Sequence, residues 1–488
     1  MKKTRKIIIH YLGKYLKIFG WGFFTTLVAL FLLQQIGKVI TIPSHGAWGI
    51  FHYYIGAKYI KELGYFDLYS CALKTHSPTL QSIKTVRNLY TYELVPIKSL
   101  KNCPTEKFSK EKWKSFVTDV QIITKRAPSS YWEYVFTDKG FNPPPFWTAI
   151  AQPIANVFSP NNPVVYFFLF NLDILFISLA SLIIVHFYGK KLGLVTFALS
   201  LFYFGTVNTL TNNFIQFAWY PLIVTSLLCW QKNKYALSGV ALGFASGLQA
   251  FPALFAIPVF LLLLSSLLSV HKENAKKSIT FIITFLSVLI FCFLIGGVSI
   301  GKMSIWKEWN NKITIHKEYT KGEIFNIGLV NLVGTFLSSE RTAFNTYRED
   351  YPFTKLRNEA LEKNKILSII AGAIALAFVL LVFFKTNQKQ PLTFGYFFLY
   401  IALCLSPYYY LILSLIPFAF WNNSPNTRTF ALYGTIVLFI LHVVLFSQVS
   451  YVSFNYFLHL ISEISIFVFF SALLALLFLE NKKGPRRD

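Results

Sequence analysis

The sequence is poor in charged residues. Asp, Glu, Lys and Arg make up 14% of its 488 residues, whereas a soluble domain is about 25% charged. Hydrophobic residues make up 54%, aromatic residues make up 18%, and the mean hydropathy is +0.50. Apolar runs long enough to cross a bilayer recur along the chain. This composition argues against a soluble globular protein and predicts an all-α polytopic membrane protein.

Acidic residues are the scarcest charged group. The chain has 21 Asp and Glu against 46 Lys and Arg, which gives a formal net charge of +25. In a soluble protein this excess would suggest a nucleic-acid partner. Here the basic residues form short clusters between apolar runs, as in the cytoplasmic loops of membrane proteins. We therefore expect membrane lipid as a partner and no nucleic acid.

Motifs for metal binding and thiol chemistry are lacking. There is no Cys-x-x-Cys and no His/Cys spacing typical of zinc, so no metal is expected. Three of the five cysteines, Cys229, Cys292 and Cys404, lie in apolar runs and read as small apolar residues. Cys71 and Cys103 lie together in a polar region, where either a disulfide or two free thiols is possible.

A cleavage site for a secretory signal is also lacking. The start MKKTRKIIIHYLGKYLK precedes an apolar run over 18–36, but no small-residue cleavage site follows it. We predict an uncleaved first span with the N-terminus in the cytoplasm.

The apolar runs predict about 12 transmembrane helices. The predicted spans are 18–37, 163–187, 191–209, 214–231, 235–250, 251–269, 278–300, 365–385, 391–405, 406–421, 428–448 and 453–479. The runs 235–269 and 391–421 are each split where Gly247 and Pro252, or Ser406 and Pro407, interrupt them. With these splits every basic cluster falls on one side, which predicts both termini in the cytoplasm and an inner-membrane location.

Two long polar segments then lie on the opposite, outer face. We call residues 44–147 the first loop and residues 301–364 the second loop. The predicted division of the chain is 1–43 (N-terminus and first span), 44–160 (outer subdomain), 161–300 (membrane bundle), 301–364 (second loop), 365–479 (C-terminal bundle) and 480–488 (cytoplasmic tail).

The first loop carries two candidate interfacial helices. Trp48, Phe51, Ile55 and Tyr59 share one face of a helix, which predicts an amphipathic helix in the interface that ends at Gly64. Residues 83–135 read as a small mixed subdomain. After them, three prolines at 143–145 predict a helix over 145–158 that begins at a proline and is too short to span.

Two segments suggest a family. HYYIGAKYIKELGYFDLY (52–69) and FNPPPFWTAIAQPIANVF (141–158) resemble the GT-C superfamily of glycosyltransferases, nearest the bacterial mannosyltransferases that use polyprenyl-phosphate mannose. Asn213 with Gln216, and the segment 247–252, resemble later motifs of that group. Gln249 stands where a lysine often sits.

The resemblance implies a GT-C-like bundle with a large first outer loop and a carboxylate base near the start of that loop. It also implies transfer of a mannose-like hexose from a polyprenyl-phosphate sugar to a glycan or lipid acceptor on the outer face. No cofactor and no metal would be needed.

The usual aspartate of that family is missing. Aligning Tyr53 and Tyr54 with the family pattern puts Gly49 at its position. Transfer still requires a base for the acceptor hydroxyl. The candidates are Asp138 and Asp67, which lie beside motifs, and then His52. Each could instead be structural, as a solvated loop acid, a helix cap or a packed histidine.

Cations in the second loop could bind the leaving phosphate. Lys312, His316 and Lys317 lie close together in the sequence, although an interfacial basic helix on anionic lipid would show the same pattern. The other residues expected to contact substrate are Asn142, Tyr53, Tyr54 and Gln249.

Asp173 supports a rival interpretation. It lies inside the predicted span 163–187, where a carboxylate is costly and usually functional, or is hydrogen-bonded between helices. A transporter or flippase for a lipid-linked or small solute would use such an acid. The large first loop and the lack of an inverted repeat favour the enzyme. A non-catalytic GT-C relative is the third alternative.

Overall fold

The computed structural model describes residues 44–203, 212–268, 272–320, 326–337, 358–359, 361–386, 390–447 and 456–481, with Thr26, Ala29, Leu33, Gly37 and Ile42. The first predicted span (18–37), apart from those single residues, and the C-terminal tail lie outside the described residues.

The described chain is helical, with two short strands in the first loop. The first loop contains α1 (Ala47–Gly49), a π-helix (Ile50–Ile55), α2 (Gly56–Lys58), α3 (Ile60–Leu63), α4 (Leu68–Lys74), β1 (Thr85–Arg87), β2 (Leu94–Pro96), α5 (Lys110–Thr124), α6 (Ser129–Val135) and α7 (Pro145–Val157), with 3-10 turns at Pro78–Leu80, Ile97–Ser99 and Thr105–Lys107.

The remaining elements form the membrane bundle and the second loop. They are α8 (Pro163–Tyr188), α9 (Lys190–Phe202), α10 (Trp219–Gln231), α11 (Tyr235–Leu248), α12 (Ile257–Leu268), α13 (Lys272–Ile300), α14 (Ile305–Thr320), α15 (Leu329–Phe336), α16 (Lys365–Lys385), α17 (Gly395–Ala402), α18 (Ile416–Ala419), α19 (Pro425–Ser447) and α20 (Tyr456–Asn481), with 3-10 segments at Phe251–Ala256, Pro391–Phe394 and Pro407–Leu415.

Six described helices are long and apolar enough to cross a bilayer. They are Pro163–Tyr188, Phe251–Leu268, Glu273–Ile300, Lys365–Lys385, Pro425–Leu445 and Leu460–Glu480. Their outward side chains are apolar: on α13, Ile283 is 58% exposed and Ile290 is 61% exposed. Such a surface is solvated by lipid rather than water. The chain is therefore an all-α polytopic membrane protein.

Several predicted spans form shorter helices. The predicted spans 214–231, 235–250 and 391–405 are helical over Trp219–Gln231, Tyr235–Leu248 and, counting a 3-10 turn, Pro391–Ala402. Both predicted splits are confirmed: α11 ends before the extended residue Gln249, and an interval without helix separates Ala402 from Pro407.

The first helix of the first loop is buried rather than interfacial, so the amphipathic prediction was wrong on this point. Phe51, Ile55 and Tyr59 are all 0% exposed, and part of the polar side of the helix is covered as well. There Lys58 Nζ lies 2.7 Å from Asp119 Oδ2 on α5, whereas Lys61 is exposed. α5 therefore covers part of a side that the sequence pattern assigned to water. It ends at Gly64, as predicted (φ 54°).

The rest of the first loop is fastened to this helix. β1 and β2 form an antiparallel hairpin in which Val86 pairs with Val95. A disulfide joins Cys71 on α4 to Cys103, which decides between the two alternatives left open by the sequence. The helix predicted at 145–158 is present as α7, beginning at Pro145, and packs against α2 and α13. The first loop therefore sits directly on the membrane bundle.

Candidate active site

Asp138 and His52 meet where the segment after α6 crosses the π-helix. His52 Nε2 lies 3.7 Å from Asp138 Oδ2, which is longer than a hydrogen bond. The Asp138 side chain is 21% exposed, whereas that of His52 is 0% exposed. Asp138 can therefore touch a substrate directly, and His52 can act only through a neighbour.

The contacts of His52 fix where its proton lies. Nδ1 is 3.0 Å from the carbonyl oxygen of Trp48, and since a carbonyl only accepts, Nδ1 carries the hydrogen. Nε2 then accepts from the hydroxyl of Tyr69, 2.8 Å away. Burial lowers the pKa of His52, which outweighs the opposite effect of Asp138. A neutral imidazole thus turns an unprotonated nitrogen toward the Asp138 carboxylate.

Lys312 is a buried amine in the electrostatic range of Asp138. It lies on α14, is 0% exposed, and its Nζ has no hydrogen-bond partner within the described chain. Nζ lies 4.6 Å from the ring centre of Tyr92 and 5.5 Å from that of Phe66. Burial lowers the pKa of the ammonium well below its usual value; Asp138 opposes this and Arg87 adds to it. Buried polar groups are rarely left unpaired.

Tyr92 connects α14 to the end of the first loop. Its hydroxyl lies 3.2 Å from His316 Nδ1, 3.3 Å from Asn142 Oδ1 and 3.2 Å from the carbonyl oxygen of Lys139. Burial, together with the charges of Lys139 and Lys312, lowers the pKa of His316 to about 3. His316 is therefore neutral near pH 7. Tyr92 has a backbone φ of 61°, a conformation that a side-chain-bearing residue adopts at a cost.

Two further buried cations complete a positive cluster. Arg87 is 0% exposed and Lys139 is 8% exposed. Arg87 donates from Nε to the carbonyl of Thr137 and from Nη1 to that of Tyr92, while its Nη2 has no hydrogen-bond partner among the described residues. Cations buried this deeply are costly unless they are neutralised. The cluster of Arg87, Lys139 and Lys312 thus favours an anionic ligand.

Tyr53 and Gln249 lie on the bundle side of the site. Tyr53 is 8% exposed and lies in the electrostatic range of Asp138 and Tyr409. The Tyr409 hydroxyl donates to Gln249 Oε1 at 3.3 Å and accepts from Gln216 Nε2 at 3.4 Å. This polar group joins the end of α11 to the 3-10 segment Pro407–Leu415 and lies in the electrostatic range of Tyr53.

Asp173 has a structural role in these contacts. Its two carboxylate oxygens accept from the backbone N–H groups of Gln216 (3.1 Å) and Phe217 (2.7 Å). It therefore holds the segment before α10 in place, which supports the hydrogen-bonded alternative for this residue. That segment also packs on Gly49, where an added Cβ would lie 2.1 Å from the carbonyl oxygen of Asn212. A carboxylate side chain has no room at position 49.

Three predicted site residues lie apart from this group. Asp67 is 3% exposed and bonds to Tyr90 (2.9 Å) and Lys107 (3.3 Å). Tyr54 donates to the carbonyl oxygens of Ala155 and Phe158. Lys317 is exposed on α14. The structure instead brings together Asp138, His52, Lys312, His316 and Asn142.

Sequence reasoning missed Tyr69, Tyr92, Arg87 and Lys139. Tyr69 closes the quoted segment 52–69 and could have been weighed as a polar partner. The others gave no signal, because tertiary packing alone buries Arg87 and turns Tyr92 inward.

An apolar groove of about 360 Å³ lies next to this site. Its lining residues are Pro144, Ser246, Gly247, Ala250, Leu289, Ile290, Cys292, Phe293, Trp306 and Trp309. At its inner end Trp309 Nε1 donates to the carbonyl of Asn142 at 3.1 Å. At its outer end Ile290 and Phe293 are 61% and 46% exposed on α13. The groove therefore lies between the lipid-facing surface of α13 and Trp309, which contacts the Asn142 backbone.

Comparisons with known proteins identify a family. The model of glycosyltransferase family 87 matches residues 141–407, which is more than half of the 488-residue chain. The matched range includes Asn142, Gln249, Lys312 and His316 and begins just after Asp138. No match to the chain was found among curated proteins or among solved structures. The chain belongs to glycosyltransferase family 87, of the GT-C type, and is a multi-pass membrane glycosyltransferase.

Proposed function

We propose that the protein transfers a hexose from a polyprenyl-phosphate sugar to a hydroxyl group of a glycan or lipid acceptor. The observation that carries the proposal is Lys312, a buried amine with no hydrogen-bond partner among the described residues, which lies in the electrostatic range of the partly exposed carboxylate of Asp138. A cation for the leaving group next to a base for the acceptor is what glycosyl transfer from a phosphate requires.

The donor phosphate would face the positive cluster. Lys312 supplies the charge, and Asn142 and neutral His316 add neighbouring polar groups at the Tyr92 hydroxyl. As the bond between the anomeric carbon and the phosphate oxygen breaks, its electron pair stays on the phosphate. A cation fixed in a dry site stabilises that growing charge more than water would.

The base would be Asp138. The acceptor oxygen attacks the anomeric carbon and its proton passes to the Asp138 carboxylate. His52 Nε2 lies 3.7 Å away and could accept a hydrogen bond from the protonated acid once the Tyr69 hydroxyl turns its own hydrogen to the carbonyl oxygen of Val135 or Asp138. This carboxylate comes from the end of the first loop, so the glycine at position 49 does not leave the enzyme without a base.

The lipid part of the donor would occupy the apolar groove. Its volume of about 360 Å³ lies within the usual range for ligand pockets, about 300–1,000 Å³. Because the groove opens at the lipid-facing surface of α13 and one of its lining residues, Trp309, contacts the Asn142 backbone, a prenyl chain could enter from the bilayer with its phosphate directed toward Lys312. The groove thus suits a lipid-linked donor better than a soluble sugar nucleotide.

We place the site on the outer face of the inner membrane, with both termini in the cytoplasm. The basic clusters between the spans support this orientation. The Cys71–Cys103 disulfide supports it too, since disulfides persist outside the reducing cytoplasm. The transporter alternative has lost its main support, because backbone groups satisfy Asp173.

The test is transfer in proteoliposomes with radiolabelled polyprenyl-phosphate hexoses and a membrane extract as acceptor. Asp138→Asn is expected to lower turnover about 10²–10⁴-fold, and Lys312→Met to weaken donor binding. Glu133→Gln and Lys317→Met, which change exposed residues of the same regions, are the matched controls. Asp67→Asn should leave donor binding unchanged, because Asp67 bonds to Tyr90 and Lys107 and not to Lys312. Absence of transfer by the wild type from every donor would overturn the proposal.

Donor chain length tests the groove separately. Ala250→Trp would fill it and is expected to raise KM for a long-chain donor while leaving KM for a short-chain donor almost unchanged. Leu237→Trp, on the exposed side of α11, is the control. An equal effect on both donors would show that the prenyl chain binds elsewhere.

A further inference from the structure

Two aromatic rings stack at the surface of the first loop, outside the cluster that contains Lys312. The ring centres of Phe66 and Tyr90 are 4.7 Å apart and their planes differ by 17°. Tyr90 is 37% exposed and belongs to the turn that joins β1 to β2. We call Phe66 and Tyr90 the aromatic pair.

The exposed ring of the aromatic pair is held firmly. The Tyr90 hydroxyl donates to Asp67 Oδ1 at 2.9 Å, and Lys107 holds the other oxygen of that carboxylate at 3.3 Å. The backbone N–H of Tyr90 donates to Asn88 Oδ1 at 2.9 Å. A ring fixed in this way loses little conformational entropy when a ligand covers it.

Polar groups surround the aromatic pair. Lys101 Nζ lies over the Tyr90 ring, 5.1 Å from its centre, and this exposed side chain would move aside when a ligand stacks there. Glu308, which pairs with Lys302 at 2.8 Å, lies within the electrostatic range of Tyr90. A flat apolar surface edged by donors and acceptors matches a sugar ring, whose C–H face is apolar and whose edge carries hydroxyl groups.

The aromatic pair is continuous with the proposed donor site. Phe66 contacts Tyr90 on one side, and Lys312 Nζ lies 5.5 Å from the centre of its ring. Tyr92, two residues after Tyr90 in the same turn, reaches His316 and Asn142. One short turn therefore presents one tyrosine to the outside and another to the site.

We propose that the aromatic pair binds a non-reacting sugar of the acceptor. This rests on the proposed function, and it narrows the acceptor to a molecule with at least two sugars: one presents its hydroxyl to Asp138 while another stacks on Tyr90. A lipid alcohol or a protein side chain would leave the aromatic pair unused.

The test is binding of the purified protein, in lipid nanodiscs without donor, to an array of octyl-linked oligosaccharides of one, two and three sugars. The wild type is expected to bind at least one longer glycan more tightly than its single-sugar counterpart. Tyr90→Ala should weaken that binding about three- to tenfold. Tyr90→Phe keeps the ring and should retain most of the affinity. Tyr134→Ala, at another exposed tyrosine of the first loop, should have no effect.

Binding of polyprenyl-phosphate hexose, measured on the same variants, separates the two proposals. Tyr90→Ala should leave donor binding unchanged, which also shows that the variant is folded, whereas Lys312→Met should weaken donor binding and spare glycan binding. The acceptor proposal is overturned if the wild type binds no glycan on the array, or if Tyr90→Ala binds as the wild type does. If the wild type binds a glycan on the array but no polyprenyl-phosphate hexose, the result counts against the proposed function and not against the acceptor proposal.

Discussion

The Asp138 carboxylate lies 3.7 Å from the unprotonated nitrogen of His52. The two side chains differ in exposure, because Asp138 is partly exposed and His52 is fully buried. A proton delivered to Asp138 would face this His52 nitrogen, which becomes free to accept it when the Tyr69 hydroxyl turns to a backbone carbonyl oxygen. We infer that Asp138 is the catalytic residue and that His52 is a positioning residue, together with Tyr69, which donates to the same nitrogen.

We predict different kinetic effects for these two residues. Asp138→Asn removes the base, whereas His52→Gln removes a supporting contact worth about one hydrogen bond. His52→Gln is therefore expected to lower kcat roughly two- to tenfold with KM for donor and acceptor unchanged. Transfer assays over a range of both substrates check this, with His186→Gln, at an exposed position on α8, as the control. A loss in His52→Gln as large as that in Asp138→Asn would make His52 part of the base itself.

Donor binding should be linked to proton uptake at Lys312. Burial lowers the pKa of Lys312 in the unliganded protein, and a phosphate beside it would raise that pKa again. The charged groups that face Lys312 are Asp138 and Arg87, while His52 and His316 also have lowered pKa values. Affinity for the donor is expected to fall as pH rises past the lowered pKa of Lys312.

Titration calorimetry in buffers of different ionisation enthalpy measures this uptake. Lys312→Met should abolish the dependence of binding enthalpy on buffer, and Lys317→Met should retain it. Donor binding with no buffer dependence in the wild type would contradict the prediction.

The pH dependence of stability at Lys312 is opposite in sign to that of donor affinity. The pKa of Lys312 is lower in the folded than in the unfolded state, so the unfolded state binds more protons at pH values between the two pKa values. The contribution of Lys312 to stability therefore rises with pH in that range.

The fold was largely predictable, and the assembled site was not. Apolar runs gave the long helices, and Pro145, Gly64 and Gln249 lie at helix ends because local backbone preferences act there whatever the tertiary structure. The helical pattern from Trp48 to Tyr59 was misjudged, because a periodicity shows which face is apolar but not whether another element covers the polar face. Asp138 and Lys312 were identified separately. Their proximity depends on how α14 packs on the first loop, which no local pattern records.

Position 49 should tolerate no side chain. An added Cβ would lie 2.1 Å from the carbonyl oxygen of Asn212 and 2.7 Å from Cα of Asn213, and backbone atoms cannot move aside as a flexible side chain can. Gly49→Ala is expected to destabilise the protein by about 1–3 kcal/mol, and Gly49→Asp by more. Thermal unfolding in detergent checks this, with Gly372→Ala, where nothing lies within 4 Å, as the control. A Gly49→Asp variant as stable as the wild type would show that the segment at 212–213 can move.

The Cys71–Cys103 disulfide should support the site through α4. It closes a loop with a sequence separation of 32 residues, so its removal is expected to cost about 3–4 kcal/mol of stability by the chain-entropy estimate. Cys71 lies two residues after Tyr69, whose hydroxyl donates to His52, so loosening α4 should also lower transfer. Cys103→Ser, or treatment with dithiothreitol, should reduce both the unfolding temperature and kcat. Cys229→Ser, at a free cysteine in α10, should change neither. If the reduced enzyme kept full activity despite its lower stability, Tyr69 would be held by its own packing against Phe136 and Phe51 and not by the disulfide.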